Sequence, residues 1–171
     1  MERLSSDVLE TARIESHSLR LNKERFSLKE VIFGLIRDAE NQIVDQLVTI
    51  QYNPKKDIVV YADKGRISEV ISNILDNAIM FTHKGKITIS ADVNNNNTEV
   101  IVVIRDEGTG IDNEISSRLF TKFATKSEKG TGLGLYISKS IVEAHGGKIW
   151  AKNNIDDKGA TFGFSLPLNQ D

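Results

Sequence analysis

Residues 63–81 read DKGRISEVISNILDNAIMF, and this stretch decides the fold. Ile67, Val70, Ile71, Ile74, Leu75, Ala78 and Ile79 recur at spacings of three and four, the period that turns one stripe of a helix toward a core. No proline interrupts them, and Asp63 stands where a capping carboxylate can accept from the first free backbone N–H groups. The stretch therefore predicts a helix over 64–81, buried along one side. Asn73 and Asn77 fall one turn apart on the flank of that stripe, beside Val70, with Asp76 expected to face the opposite way. Two amides on the edge of a buried helix need partners. They can cap neighbouring backbone, or their hard, neutral carbonyl oxygens can complete the octahedron of a magnesium ion already held by phosphates and water.

Strands are expected on either side of this helix. LVTIQYN (47–53) and DIVVYA (57–62) read as two strands separated by Pro54-Lys55-Lys56. KITISADV (86–93) and EVIVVIRD (99–106) form a hairpin joined by Asn94–Asn97, since asparagine tolerates left-handed turn conformations. KIWAKNN (148–154) and ATFGFSLPL (160–168) close the chain as another hairpin. FSLKEVIFGLIRDAENQI (26–43) reads as a short strand followed by a helix, with Ser27 as N-cap and Glu30 at capping-box spacing. A further helix runs from about Leu133 to His145 and stops at Gly146-Gly147. Helices in separate groups between antiparallel hairpins are not the strict alternation of a doubly wound sheet. The expected class is α+β: a two-layer α/β sandwich whose mixed, mostly antiparallel sheet is covered on one face by about three helices.

The 171 residues, 39% hydrophobic and 27% charged, suffice for one core. The net charge of −2 is spread along the chain, so neither nucleic-acid binding nor membrane contact is expected. There is no cysteine, which excludes disulfides, thiolate metal sites and a cysteine nucleophile. With no apolar run approaching the roughly 18 residues of a membrane span, a soluble, cytoplasmic chain is expected, compatible with a membrane-anchored parent. Leu4, Val8, Leu9 and Ala12 define an amphipathic helix whose stripe should pack on another helix, from upstream chain or a second protomer. His17, His83 and His145 read as structural, the last favoured as a cation by the dipole at a helix C-terminus.

Two glycine-bearing stretches and the segment between them carry the remaining chemistry. In VIVVIRDEGTGI, Val100, Val102, Ile104 and Asp106 share one strand face, so a carboxylate ends an apolar row. Asp106 can bond the backbone amides ahead of it in a turn, or accept from an exocyclic amino group such as that of adenine, with Gly108 and Gly110 letting a ligand approach the backbone. In GTGLGL (130–135) the Walker lysine is missing, and so are the spacing and preceding strand of a dinucleotide fingerprint. What remains is a run of flexible amides leading into a helix N-terminus, suited to an anion or serving as a bare hinge. Arg118, Lys122 and Lys126 share helical spacing and read as a solvated face, or, with Lys129, Phe120 and Phe123, as a mobile lid over a terminal phosphate.

Taken in order, these stretches resemble sensor histidine kinases. ISNILDNAIMFT resembles the asparagine box, DEGTGI the first glycine box, SSRLFTKF the phenylalanine box and GTGLGLYISKSIVEAHGG the second glycine box. The resemblance implies the Bergerat ATP-binding fold with a nucleotide lid over residues 24–171. Residues 1–23 look like the second helix of the dimerisation and phosphoacceptor hairpin and its linker. ATP and Mg2+ are the implied cofactors. Asp106 would take the adenine amino group, Asn77 the metal, and Asn73 a polar contact near the phosphates; Phe81 would lie beside the nucleotide. Gly108 and Gly110 would shape the wall, while Gly130, Thr131, Gly132, Leu133 and Gly134 would cradle the phosphates. Met80 stands where many members carry a phosphate-approaching lysine, leaving that catalytic task to Lys122 or Lys126. The implied partners are the phosphoacceptor hairpin of the same or a partner protomer and a response regulator receiver domain, in a homodimeric parent. No His-Glu/Asp followed by Arg-Thr-Pro is present, so the acceptor histidine is expected upstream of Met1. Related alternatives are a Bergerat-fold ATPase or conformational clamp, disfavoured because Asn73 replaces the glutamate base, and a binding-only kinase module.

Overall fold

The 63–81 stretch forms α3 (Lys64–Phe81), and Asp63 Oδ1 accepts from the Arg66 N–H at 3.1 Å as its N-cap. Ile67, Val70, Ile71, Ile74, Leu75 and Ala78 are all buried. Each of the larger side chains among them contributes about 1.5–3 kcal/mol by leaving water. The computed structural model describes residues 2–16, 19–43, 47–125, 130–155 and 158–168. The other elements are α1 (Glu2–Glu15), β1 (Glu24–Ser27), α2 (Leu28–Glu40), β2 (Val48–Tyr52), β3 (Val59–Ala62), β4 (Gly85–Val93), β5 (Glu99–Asp106), α4 (Asn113–Ser116), α5 (Gly134–Ala144), β6 (Lys148–Asn153) and β7 (Ala160–Pro167).

The main sheet has the order β2-β4-β5-β7-β6, and only the β2–β4 pair is parallel. Helices α2, α3 and α5 cover one face, giving the expected two-layer α+β sandwich. The strands at 47–53 and 57–62 do not share a sheet. β2 takes the edge beside β4, whereas β3 pairs with β1 as a separate two-stranded ribbon, Phe26 opposite Val60. Burial explains the split: Phe26, Val60 and Ala62 join the core from that ribbon. The asparagine turn forms between β4 and β5, with Asn97 at φ 55°. Ser27 caps α2 by accepting from the Glu30 N–H at 3.1 Å, and its own hydroxyl donates to Asp57 at 2.7 Å. In the β6–β7 hairpin, Trp150 lies opposite Gly163, and a methyl group at Gly163 would strike the indole at 2.5 Å.

His145 departs from expectation. It is 1% exposed, and burial lowers its pKa below the usual imidazole value, overriding the helix-dipole effect invoked from sequence. Its Nε2 lies 3.0 Å from the Asp63 N–H and its Nδ1 2.8 Å from the Ile141 carbonyl, an arrangement that suits the neutral ring protonated at Nδ1. Asp63 Oδ2 also accepts from the Asn22 N–H at 2.8 Å, so one clasp joins the start of α3, the end of α5 and the segment after α1.

Helix α1 turns its polar side to the domain. Glu10 and Thr11 are buried, while Leu4, Val8 and Leu9 are exposed. Arg66 of α3 pairs with Glu10 at 2.7 Å and with Glu69 at 3.1 Å. The reading of Arg118, Lys122 and Lys126 as one helix face is also corrected: α4 ends at Ser116, and Arg118 and Lys122 lie in the turns beyond it. Lys126, Lys129 and His17 lie outside the described residues.

Candidate nucleotide-binding site

A cavity of about 260 Å3 opens between α3, the end of β5 and the loop that enters α5. From α3 it is lined by Asn73, Asp76, Asn77, Met80 and Phe81. The lining by Asp76 corrects the expectation that it faces away. Three helical steps from Asn73 leave it only about 60° round the axis, on the same side. Thr109, Gly110 and Ile111 line the cavity beside Asp106, and Ala160 and Phe162 reach it from β7.

Asp106 ends β5 on the buried face with Val100, Val102 and Ile104, and is itself 3% exposed. Its Oδ1 accepts from the Gly108 N–H at 2.9 Å and the Ala160 N–H at 3.2 Å. Burial pushes its pKa above the ordinary aspartate value, while the two backbone bonds oppose that shift. Both bonds fall on one oxygen, leaving Oδ2 to accept from a ligand donor. Gly108 is required by close approach: a methyl group there would overlap the Phe81 carbonyl. That carbonyl accepts from the Thr109 N–H at 3.1 Å, so α3 and the loop after β5 form one wall.

At the other end, Asn73 Nδ2 donates to the Gly134 carbonyl and to Ser138 Oγ, both at 3.2 Å, tying α3 to the first turn of α5. Gly130, Thr131, Gly132 and Gly134 line the cavity; Leu133 does not, being buried in the core at 1% exposure. Thr131 Oγ1 accepts from the Leu133 N–H at 3.3 Å and donates to Asp7 of α1 at 2.7 Å, and Asp7 also lines the cavity. Gly132, at φ 69°, lies so near Phe123 that an added Cβ would sit 2.7 Å from its Cα. Lys122 is not on the cavity wall. It pairs with Glu15 of α1, and its ammonium lies 5.4 Å from the centre of the Tyr136 ring.

Of the residues expected from sequence, the cavity brings together Asn73, Asn77, Phe81, Asp106, Gly110, Gly130, Thr131, Gly132 and Gly134 but not Gly108 or Leu133, and it adds Asp7, Asp76, Leu119 and Phe162. For Asp76 the signal was available in helix arithmetic. For the other three there was none, since their approach depends on how distant elements pack.

The model of the histidine kinase-, DNA gyrase B- and HSP90-like ATPase family matches residues 62–170, and the chain belongs to that family. Sensor histidine kinase WalK of Bacillus subtilis (strain 168) is 34% identical over 179 residues, covering 100% of this chain and 29% of WalK. Among solved structures, histidine kinase AdeS of Acinetobacter baumannii is 30% identical with a TM-score of 0.83, covering 99% of this chain and 79% of that one. Histidine kinase ThkA, solved in complex with response regulator protein TrrA, is 31% identical with a TM-score of 0.76, covering 98% and 49%. Full-length ShkA in complex with AMPPNP shares the fold with a TM-score of 0.88 at 24% identity, covering 99% and 36%. Within the family, the chain is the catalytic ATP-binding domain of a two-component sensor histidine kinase, and it spans under a third of WalK's length.

Proposed function

We propose that this chain binds Mg-ATP in the cavity and presents the γ-phosphate to a histidine on a phosphoacceptor hairpin of the same or a partner protomer. The observation that carries this reading is Asp106, a buried carboxylate with one oxygen committed to backbone amides and the other left for a base amino group. A carboxylate there accepts from adenine and repels the carbonyl of guanine. Phe81 and Gly110 flank the base, and the 130–134 loop with the α5 N-terminus receives the phosphates.

Among the described residues no three carboxylates or histidines gather to hold an ion unaided. The hard oxygens of Asn77 and Asp76 at the wall suit a magnesium ion that arrives with phosphates and keeps its waters. Phosphoryl transfer then needs alignment and charge neutralisation. Lys122 supplies charge only after exchanging Glu15 for phosphate. Asn73, with its amide nitrogen donating to Gly134 and Ser138, is no general base, which argues against the ATPase reading.

On this reading, residues 1–23 are the end of the hairpin and 24–171 the catalytic domain. The exposed stripe Leu4, Val8 and Leu9 supports packing in a homodimer. The response regulator found with ThkA supports a receiver domain as the next phosphate acceptor. No helix among the described residues is long and apolar enough to cross a membrane.

Calorimetry tests the site: ATP binds the native chain, and Asp106→Asn weakens it roughly tenfold to a hundredfold, the worth of one charge-assisted bond. Unchanged affinity would remove the adenine assignment. Labelled ATP should pass phosphate to a separately supplied hairpin and to none of the chain's own histidines; labelled His83 or His145 would refute the reading.

A further inference from the structure

Two adjacent asparagines at the end of β6 have no place in the binding scheme above, yet they grip both ends of the loop that carries Gly108 and Gly110. Asn153 makes a pair of bonds to one residue 42 positions away: Oδ1 accepts from the Ile111 N–H at 2.6 Å, and Nδ2 donates to the Ile111 carbonyl at 2.9 Å. A side-chain amide bonded to both backbone groups of one residue imitates a paired strand, although β6 is the edge of the sheet. Asn154 holds the other end. Its Nδ2 donates to the Asp106 carbonyl at 2.9 Å and the Lys158 carbonyl at 3.0 Å, and its Oδ1 accepts from Thr161 Oγ1 at 2.7 Å. The Asp106 carbonyl follows the last β5–β7 pair, Arg105 with Thr161, so Asn154 continues the ladder one step past its end.

We infer that Asn153 and Asn154 are positioning residues for adenine, a clamp that fixes the 106–111 loop so that Asp106 and Ile111 face the base in one geometry. This inference rests on the nucleotide reading. Asn153 is exposed, so water would satisfy its amide if the loop did not hold it. Ile111, which it grips, lines the cavity. The clamp therefore spans the interval from the base acceptor to the wall beside it, with no contact to the phosphate end.

The test is calorimetry with ATP and with adenosine, together with amide hydrogen exchange over 108–111. Asn153→Ala should weaken both ligands by the same factor, about tenfold for the loss of two bonds, and speed exchange of the Ile111 amide. Asn153→Asp keeps the shape but sets a carboxylate against the Ile111 carbonyl, and should weaken binding at least as much. Lys152→Ala, next to the clamp, should change neither. Failure of the native chain to bind ATP would overturn the nucleotide reading itself. Native binding with unaltered affinity in both Asn153 variants, or a loss for ATP that adenosine does not share, would overturn the clamp alone. Should Asn153→Ala not fold, the Asp variant and the native exchange pattern decide: an Ile111 amide exchanging at the intrinsic rate of an unprotected amide means no clamp.

Discussion

At the end of the cavity proposed for adenine, the walls come from the sheet. Asp106 closes β5, Ala160 opens β7, and the loop between Asp106 and Ile111 is bonded at both ends to the β6–β7 hairpin. At the end proposed for the phosphates, the wall is a glycine-bearing loop at the mouth of α5, joined to α3 by one amide and to α1 through Asp7. The first region is held by several directional bonds from side-chain amides and a carboxylate to the backbone, and the second by the Asn73 amide and by a side-chain bond from Thr131 to the charged Asp7. A base is recognised through one hydrogen bond whose angle and length must be right. A triphosphate is recognised through charge, which falls slowly with distance and tolerates movement.

That contrast can be broken most forcefully at its glycines. Gly108→Ala forces a methyl group into the Phe81 carbonyl and should cost about 3 kcal/mol, lowering the thermal midpoint by roughly 6–12 °C. Gly134→Ala meets nothing nearer than Asn73 Cγ at 3.4 Å and should shift stability by less than about 0.5 kcal/mol. Equal losses at the two positions would erase the distinction.

Next in size is the trade between binding and stability at Asp106. Its pKa lies above 3.8 in the folded chain, so the ionised form is penalised by folding. The stability associated with this group is present below 3.8 and is lost as pH rises through the folded pKa. Asp106→Asn should therefore lose ATP while keeping or raising the thermal midpoint at pH 7. A lower midpoint would mean that the carboxylate holds the loop rather than waiting for a base.

The helices of the phosphate end share the His145 clasp at their far ends, which makes acid a selective probe. With its pKa depressed from 6.5, His145 contributes stability that is complete above that value and is lost as pH falls toward the folded pKa, at up to about 1.4 kcal/mol per pH unit. In His145→Gln this portion of the acid slope should vanish from the pH dependence of denaturant melts. The smallest effect belongs to α1. Asp7→Asn removes a negative charge from the phosphate end and should tighten ATP by about two- to five-fold, less at high salt, with adenosine unaffected. Equal tightening of adenosine would show that Asp7 acts by shape.

The periodic elements were legible because their signals are local. The stripe from Ile67 to Ala78, the alternation that ends in Asp106 and the capping residues Ser27 and Asp63 each declare themselves within one turn or one strand. The β1–β3 ribbon was not legible, since nothing in DIVVYA distinguishes pairing with the Glu24–Ser27 segment from joining the main sheet. His145 misled for a related reason: the dipole is visible in sequence, but its burial against Asp63 is a tertiary fact. Asn153 and Asn154 passed unnoticed because paired asparagines ending a strand look like any turn.

Trp150 is the single tryptophan of the chain. Its indole covers Gly163 on the hairpin that carries the asparagine clamp, three residues along the same strand from Asn153. The chain therefore holds its own optical reporter. Fluorescence excited at the indole band samples the β6–β7 hairpin without any introduced label, so quenching or a spectral shift on titration can be followed at the strand that grips the loop. Replacing Gly163 by alanine would displace the fluorophore itself, which supplies a calibration for how much of the signal belongs to this one contact.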